Sequence, residues 1–83
     1  MVKRSEKIKI QLRRLAKQGF FETEKLLYEK EAIRLEKDGF SVEKIVNSEQ
    51  NHSERSSFMY RISWQDSEYG FANELRETAL KVA

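Results

Sequence analysis

A cluster of basic side chains at the start of the chain is the feature best suited to act on another molecule. Residues 1–18 carry seven Lys or Arg against one Glu, whereas residues 19–83 carry nine against thirteen acids. Clustered Lys and Arg attract phosphate groups regardless of sequence, and each neutralised phosphate releases condensed counterions. We therefore expect electrostatic contact with nucleic acid. The residues expected to make it are Lys3, Arg4, Lys7, Lys9, Arg13, Arg14 and Lys17.

A helix is predicted to carry this cluster. Apolar residues recur at the spacing of one helical face over about residues 4–18, and Ser5 is a possible N-cap. At about 100° per residue, all of the basic side chains except Arg4 are expected on the side away from Leu12. Ile10 falls among them, and an apolar residue amid cations is typical of a contact surface. Ile10 is therefore a candidate contact for a protein partner or for a second copy of the chain.

The same cations also have a purely structural interpretation. In an antiparallel helix pair, Glu29 and Glu36 of the next helix would lie near them, and the charge asymmetry would be internal to the fold. The residues that would then be paired are Arg13, Arg14 and Lys17. Alternatively, these side chains are merely solvated.

Little in the sequence favours catalysis or a metal site. The chain has no Cys, and its one histidine, His52, lies in a polar segment that would hold it only loosely. It contains no Gly-rich phosphate loop, nucleophile elbow or HExxH motif. We expect a protein that is not an enzyme and needs no cofactor. No apolar run suits a signal peptide or a membrane span, which predicts a cytoplasmic location.

A short repeat indicates where two helices end. RLAKQGF occupies residues 14–20 and RLEKDGF residues 34–40. If Gly19 and Gly39 take the left-handed conformation just past a helix, the Leu and Phe of each copy come into contact, as in a Schellman ending. The repeat therefore predicts two helix ends rather than a duplicated functional device.

The remaining elements follow from changes in hydrophobic period. A second, central helix is predicted from an N-cap at Thr23 to about Asp38. FSVEKIV (residues 40–46) and SFMYRISW (residues 57–64) alternate apolar and polar residues and are predicted strands. Residues 47–57 have the composition of a mobile polar loop.

A last helix, capped by Asp66 or Ser67, is predicted to place Phe71 and Leu75 on one face. The predicted fold is a single α+β domain over residues 1–83, in the order helix, helix, strand, strand, helix, with a two-stranded antiparallel hairpin packed on the helices. Because such a hairpin has two bare edges, a homodimer through a strand edge is also possible.

The aromatic residues of the second strand have two interpretations. Phe58, Tyr60 and Trp64, interleaved with Arg61, could form a platform on which bases stack. Alternatively, together with Ile62, they form the core face of the sheet under the helices.

The span from Ala32 to Trp64, a helix ending in RLEKDGF followed by strand, polar loop and strand, resembles the recognition helix and wing of winged-helix DNA-binding proteins. It departs from that family upstream, where a further helix and a short turn are expected and only the first helix is available. The second helix and the loop are also acidic where the family is basic. The residues concerned are Glu29, Glu31 and Glu36 in the helix, and Glu49 and Glu54 beside Arg55 in the loop. No residue role is transferred.

The sequence thus predicts a small non-catalytic binding protein that contacts nucleic acid through its basic first helix. The alternative is a protein-interaction module, a small regulator or inhibitor, without a nucleic-acid role.

Overall fold

The structure is a computed structural model that describes residues 3–45 and 57–82. It is a small α+β domain with three helices and a three-stranded antiparallel sheet. Its elements in chain order are α1 (Arg4–Lys17), β1 (Glu22–Tyr28), α2 (Glu29–Lys37), β2 (Ser41–Lys44), β3 (Ser57–Ser63) and α3 (Gly70–Val82).

The sheet has β3 at its centre, with β1 and β2 on either side. Ile62 lies opposite Thr23 of β1 and Val42 of β2, so these three residues share one face of the sheet. The same face carries Phe58 and Tyr60, because side chains alternate between faces along a strand. This face is directed toward the helices.

A single hydrophobic core fills the space between that face and the helices. Leu12, Leu27, Ile62 and Trp64 are completely inaccessible to solvent. The indole Nε1 of Trp64 donates a hydrogen bond of 3.0 Å to the carbonyl oxygen of Phe20. The prediction that Phe58, Tyr60, Ile62 and Trp64 form the core face is confirmed: Tyr60, Ile62 and Trp64 are buried, and Phe58 is half-buried against the core.

The segment before α2 differs from its prediction. Residues 22–28 form a strand, whereas the sequence predicted the first turns of a helix capped by Thr23. Glu, Lys and Leu favour helices, but this propensity is weak and tertiary pairing overrides it. Here β1 pairs with β3 along seven residues, and its burial alternates up to the fully buried Leu27. The predicted two-stranded hairpin is therefore a three-stranded sheet.

The sheet edges are consequently different from those expected. β3 is paired on both sides, and the free edges belong to β1, which carries Glu22, Glu24 and Lys25, and to β2, which has only four residues. Charge and short length are the usual features of edges that do not pair with another chain.

Both copies of the repeat end a helix as predicted. The amide of Phe20 donates to the carbonyl of Leu15 at 3.0 Å, and that of Phe40 donates to Leu35 at 3.1 Å. Gly19 and Gly39 have φ values of 90° and 98°, the left-handed conformation that the Schellman ending requires.

The predicted N-caps are wrong. Lys3, not Ser5, precedes α1, and it makes no capping hydrogen bond through its side chain. α3 begins only at Gly70, so neither Asp66 nor Ser67 caps it. Ser67 is instead buried, and its hydroxyl donates a 2.7 Å hydrogen bond to the carbonyl oxygen of Gly39.

Most of the predicted loop over residues 47–57, including His52, lies outside the described residues; Ser57 itself begins β3. Within residues 3–45 and 57–82, no helix combines the length and hydropathy needed to cross a bilayer.

Candidate functional site

Three of the predicted site residues form a continuous exposed surface on α1. The helix buries Ile8, Leu12 and Ala16 against the core. At about 100° per residue, Lys7, Arg14 and Lys17 lie on the opposite side, around the half-exposed Ile10. We call these four residues the outer basic face. In the part of the chain that the structure describes, none of its three cations forms an ion pair.

Arg4 and Lys9 are instead directed toward α2. Arg4 Nε lies 2.5 Å from a carboxylate oxygen of Glu31, and Lys9 Nζ lies 3.9 Å from a carboxylate oxygen of Asp38. The Arg4 guanidinium also lies 5.2 Å from the ring centre of Tyr28, within the range of a cation–π interaction. These two side chains therefore have partners within the fold.

Arg13 lies between the outer basic face and the paired residues Arg4 and Lys9. Its guanidinium is 5.3 Å from the ring centre of Phe71 on α3, and the ammonium of Lys9 is 5.5 Å from the same ring. Phe71 is half-buried and packs against the core. Arg13 thus covers an aromatic ring as well as contributing charge.

Some cations of the first helix are paired with acidic residues inside the fold, but they are not the ones that the sequence indicated. Arg13, Arg14 and Lys17 do not pair with Glu29 or Glu36; the ion pairs between the helices are Arg4–Glu31 and Lys9–Asp38. The pairs connect the start of α1 to the first turn of α2, and the middle of α1 to the residue just past the end of α2, an order that an antiparallel helix pair would reverse. The expectation that Lys9 faces away from the core is also wrong, because it lies only about 60° from Leu12 around the helix.

A cleft of about 300 Å³ separates the first half of α1 from α2. Its apolar lining includes Ile8 and Leu35, both almost completely buried, together with Tyr28. Its charged lining consists of five cations and two carboxylates: Lys3, Arg4, Lys9, Lys30 and Arg34, with Glu31 and Asp38.

Sequence analysis did not foresee the contribution of α2 to this cleft. Lys30 and Arg34 are four residues apart and therefore share a helix face. That spacing was the available signal, but α2 was interpreted from its three acidic residues, Glu29, Glu31 and Glu36, of which Glu31 is paired with Arg4.

The face of the sheet opposite the helices is acidic. Arg61 of β3 lies between Glu24 of β1, at 3.3 Å, and Glu43 of β2, at 3.6 Å. Glu22 lies on the same face, because it is in register with the alternate residue Ser63. We call Glu22, Glu24, Glu43 and Arg61 the outer sheet face. The helices pack on the other face of the sheet, and the outer basic face lies on the side of α1 away from the core, so the outer sheet face and the outer basic face lie on different sides of the molecule.

Among the described residues, the Tyr60 hydroxyl has a perturbed pKa. Burial raises the pKa of the Tyr60 hydroxyl above its ordinary value of 10.0, and the negative charges of Glu29 and Glu36 raise it further. Tyr60 belongs to the core face of the sheet and reaches neither the outer basic face nor the lining of the cleft.

Among residues 3–45 and 57–82, no group of three or more His, Cys, Asp or Glu side chains is placed to hold a metal ion. Comparison of the chain with protein-family models, curated proteins and solved structures finds no significant match. The structure has one helix between β1 and β2, so the additional helix expected of a winged-helix protein does not lie there. The resemblance therefore carries no functional assignment, and function is argued from the residues themselves.

Proposed function

We propose that this protein binds nucleic acid through the outer basic face of α1, which contacts the sugar-phosphate backbone. The observation that carries the proposal is the set of three exposed cations on one helix side, Lys7, Arg14 and Lys17, with no ion pair among the described residues. Unpaired surface cations are available to neutralise phosphates, whereas Arg4 and Lys9 already have carboxylate partners.

The proposed contact is electrostatic and independent of base sequence. Lys7 and Lys17 are separated by about 15 Å along the helix, at 1.5 Å per residue, which is long enough to reach several phosphates. Of the aromatic side chains that were candidates for base stacking, Tyr60 and Trp64 are buried in the core, and Phe58 is half-buried against it with Lys44 over its ring. The proposal is one of binding, not catalysis, and it assumes a cytoplasmic location, where nucleic acid is present.

The test is fluorescence anisotropy of labelled oligonucleotides, single-stranded and duplex, over a series of salt concentrations. The double variant Arg14→Gln, Lys17→Gln should weaken binding and reduce the slope of log affinity against log salt by about 0.9 for each lost duplex phosphate contact, and by about 0.7 on a single strand. Arg13 is left unchanged because it covers Phe71.

A matched control is available in the same chain. Lys37 and Lys81 lie in the last turns of α2 and α3, as Arg14 and Lys17 do in α1, so Lys37→Gln, Lys81→Gln removes the same charge from the same kind of helix position. The proposal expects this control to retain most of the affinity. Equal losses in both double variants would show that only net charge matters, and absence of binding by the parent at about 50 mM salt would exclude the proposal.

The exposure of Ile10 favours one second candidate, a protein partner. Ile10 is 43% exposed at the centre of the outer basic face, and an apolar centre with a polar rim is typical of protein interfaces. The substitution Ile10→Gln separates the two functions. It should leave nucleic-acid affinity almost unchanged, because phosphates gain nothing from an apolar side chain, but it should weaken a protein complex that buries Ile10.

A further inference from the structure

The cleft between α1 and α2 combines an apolar floor with an excess of positive charge. Ile8 and Leu35 are each 4% exposed and form part of the floor, while Tyr28 contributes an aromatic wall. The five cations and two carboxylates of the lining leave a net charge of +3. The cleft is therefore both apolar and cationic.

The charged side chains of the cleft fall into two groups, those that form an ion pair and those that do not. Arg4 and Lys9 cross the cleft to Glu31 and Asp38 and connect α1 to α2. Lys3, Lys30 and Arg34 have no ion pair within residues 3–45 and 57–82, and all three are exposed at the rim. Like charges that line one cleft repel, and a bound anion would reduce that repulsion.

We propose that this cleft binds a small organic anion, with its apolar body on Ile8 and Leu35 and its phosphate or carboxylate head among Lys3, Lys30 and Arg34. A volume of about 300 Å³ is at the lower end of the range of small-molecule sites, about 300–1,000 Å³. An apolar lining with a few converging polar groups is the usual composition of such sites. Arg34 supplies a guanidinium, which can bind a phosphate or carboxylate through two parallel hydrogen bonds.

This proposal does not rest on the proposed nucleic-acid function. Of the seven basic residues predicted from sequence, the lining includes Lys3, Arg4 and Lys9, whereas the outer basic face is formed by Lys7, Arg14 and Lys17. The cleft could be occupied whether or not the outer basic face binds a polymer.

The experiment is a titration of the full chain followed by amide chemical shifts in NMR spectra. Phenyl phosphate is the first probe, with inorganic phosphate and benzyl alcohol representing its charged head and its apolar body separately. Octanoate is the second probe, and distinguishes an aliphatic carboxylate from an aryl phosphate as the preferred ligand. We expect shifts in the first turn of α1 and along α2, with at least one amphipathic anion binding more tightly than inorganic phosphate or benzyl alcohol.

Variants then locate the site. Lys30→Gln, Arg34→Gln should raise the Kd for the amphipathic anion about tenfold, because two charge-assisted contacts are lost. Lys37→Gln, Lys81→Gln removes the same charge outside the cleft and should leave the Kd nearly unchanged. The proposal would be overturned if inorganic phosphate or benzyl alcohol bound as tightly as both probes, if both double variants behaved alike, or if the shifts mapped to the outer basic face.

Discussion

At the scale of single residues, the two copies of the repeat share backbone geometry but not surroundings. A Cβ at Gly19 would meet only the side chain of Val82, at 3.4 Å, which is an ordinary contact. A Cβ at Gly39 would overlap the carbonyl oxygen of Tyr69, and one at Gly70 would overlap that of Asp38. The loop that joins α2 to β2 and the segment that leads into α3 therefore come into close backbone contact, which requires glycine at both Gly39 and Gly70.

The first prediction follows from this difference. Gly19→Ala should lower the free energy of unfolding by about 1 kcal/mol, because an L-residue is strained at positive φ. Gly39→Ala should cost at least about 3 kcal/mol, because backbone must also move. Urea unfolding followed by the fluorescence of Trp64, the only tryptophan, measures both. Equal losses would contradict the close approach of the two loops.

A second prediction concerns the hydroxyl of Tyr60, a residue of the core. Its pKa is raised in the folded protein by burial and then by Glu29 and Glu36, so folding favours the neutral phenol. The stability that it contributes is fully present below its ordinary pKa of 10.0 and is lost as the pH rises through the higher folded pKa. As the pH rises above 10.0, the urea midpoint should fall more steeply in the parent than in Tyr60→Phe. Parallel curves would show that Tyr60 ionises equally in the folded and unfolded states.

At the scale of elements, periodicity predicted what is local and missed what depends on a distant partner. α1 and its glycine ending were readable because their hydrophobic spacing and stop signal lie within one segment. β1 was not, because residues 22–28 favour a helix by composition and become a strand only through pairing with β3, whose residues lie 29 to 41 positions later. The alternation of Thr23, Lys25 and Leu27 was the available signal, but the charge of Lys25 made this position look solvent-exposed. Its half-buried side chain reaches Gln11 of α1.

The third prediction separates the strand from the predicted helix. As a strand, β1 buries Leu27 completely and leaves Leu26 39% exposed on the other face. Leu27→Ala should therefore cost about 2–4 kcal/mol of unfolding free energy, and Leu26→Ala less than about 1 kcal/mol. Urea midpoints of the two variants supply the measurement. Similar losses at both positions would indicate that the two leucines are equally buried. That result would contradict the strand, in which adjacent residues lie on opposite faces.

At the scale of the whole molecule, composition revealed the basic segment but not which of its cations are paired within the fold and which are free to bind a partner. The sequence identified all seven cations of residues 1–18, yet only the packing of α1 beside α2 determines which of them are paired. Lys30 and Arg34 were missed because their significance depends on the same packing. The acidic outer sheet face was also unreadable, because Glu22, Glu24 and Glu43 come together only through the register of three strands.

This arrangement gives the molecule two poles of opposite charge, the outer basic face and the outer sheet face. The domain measures 42 × 32 × 21 Å, so its shortest dimension, 21 Å, sets the scale of their separation. The Debye length is about 30 Å at 0.01 M salt but only about 8 Å at 0.15 M. An anionic polymer approaching the basic pole is therefore repelled by the acidic pole at low salt and almost unaffected by it at physiological salt.

The last prediction tests this long-range effect. Glu22→Gln, Glu43→Gln removes two charges from the acidic pole and leaves Arg61 paired with Glu24 at 3.3 Å. Two charges acting over 21 Å in water are worth about 0.4 kcal/mol per facing phosphate before screening, so the association rate for an oligonucleotide at 0.01 M salt should rise about two- to threefold. At 0.15 M the rise should vanish, because screening over more than two Debye lengths removes the interaction. Stopped-flow association at both salt concentrations measures this. A rise that persisted at 0.15 M would place the polymer in direct contact with the outer sheet face, contrary to the assignment of binding to α1.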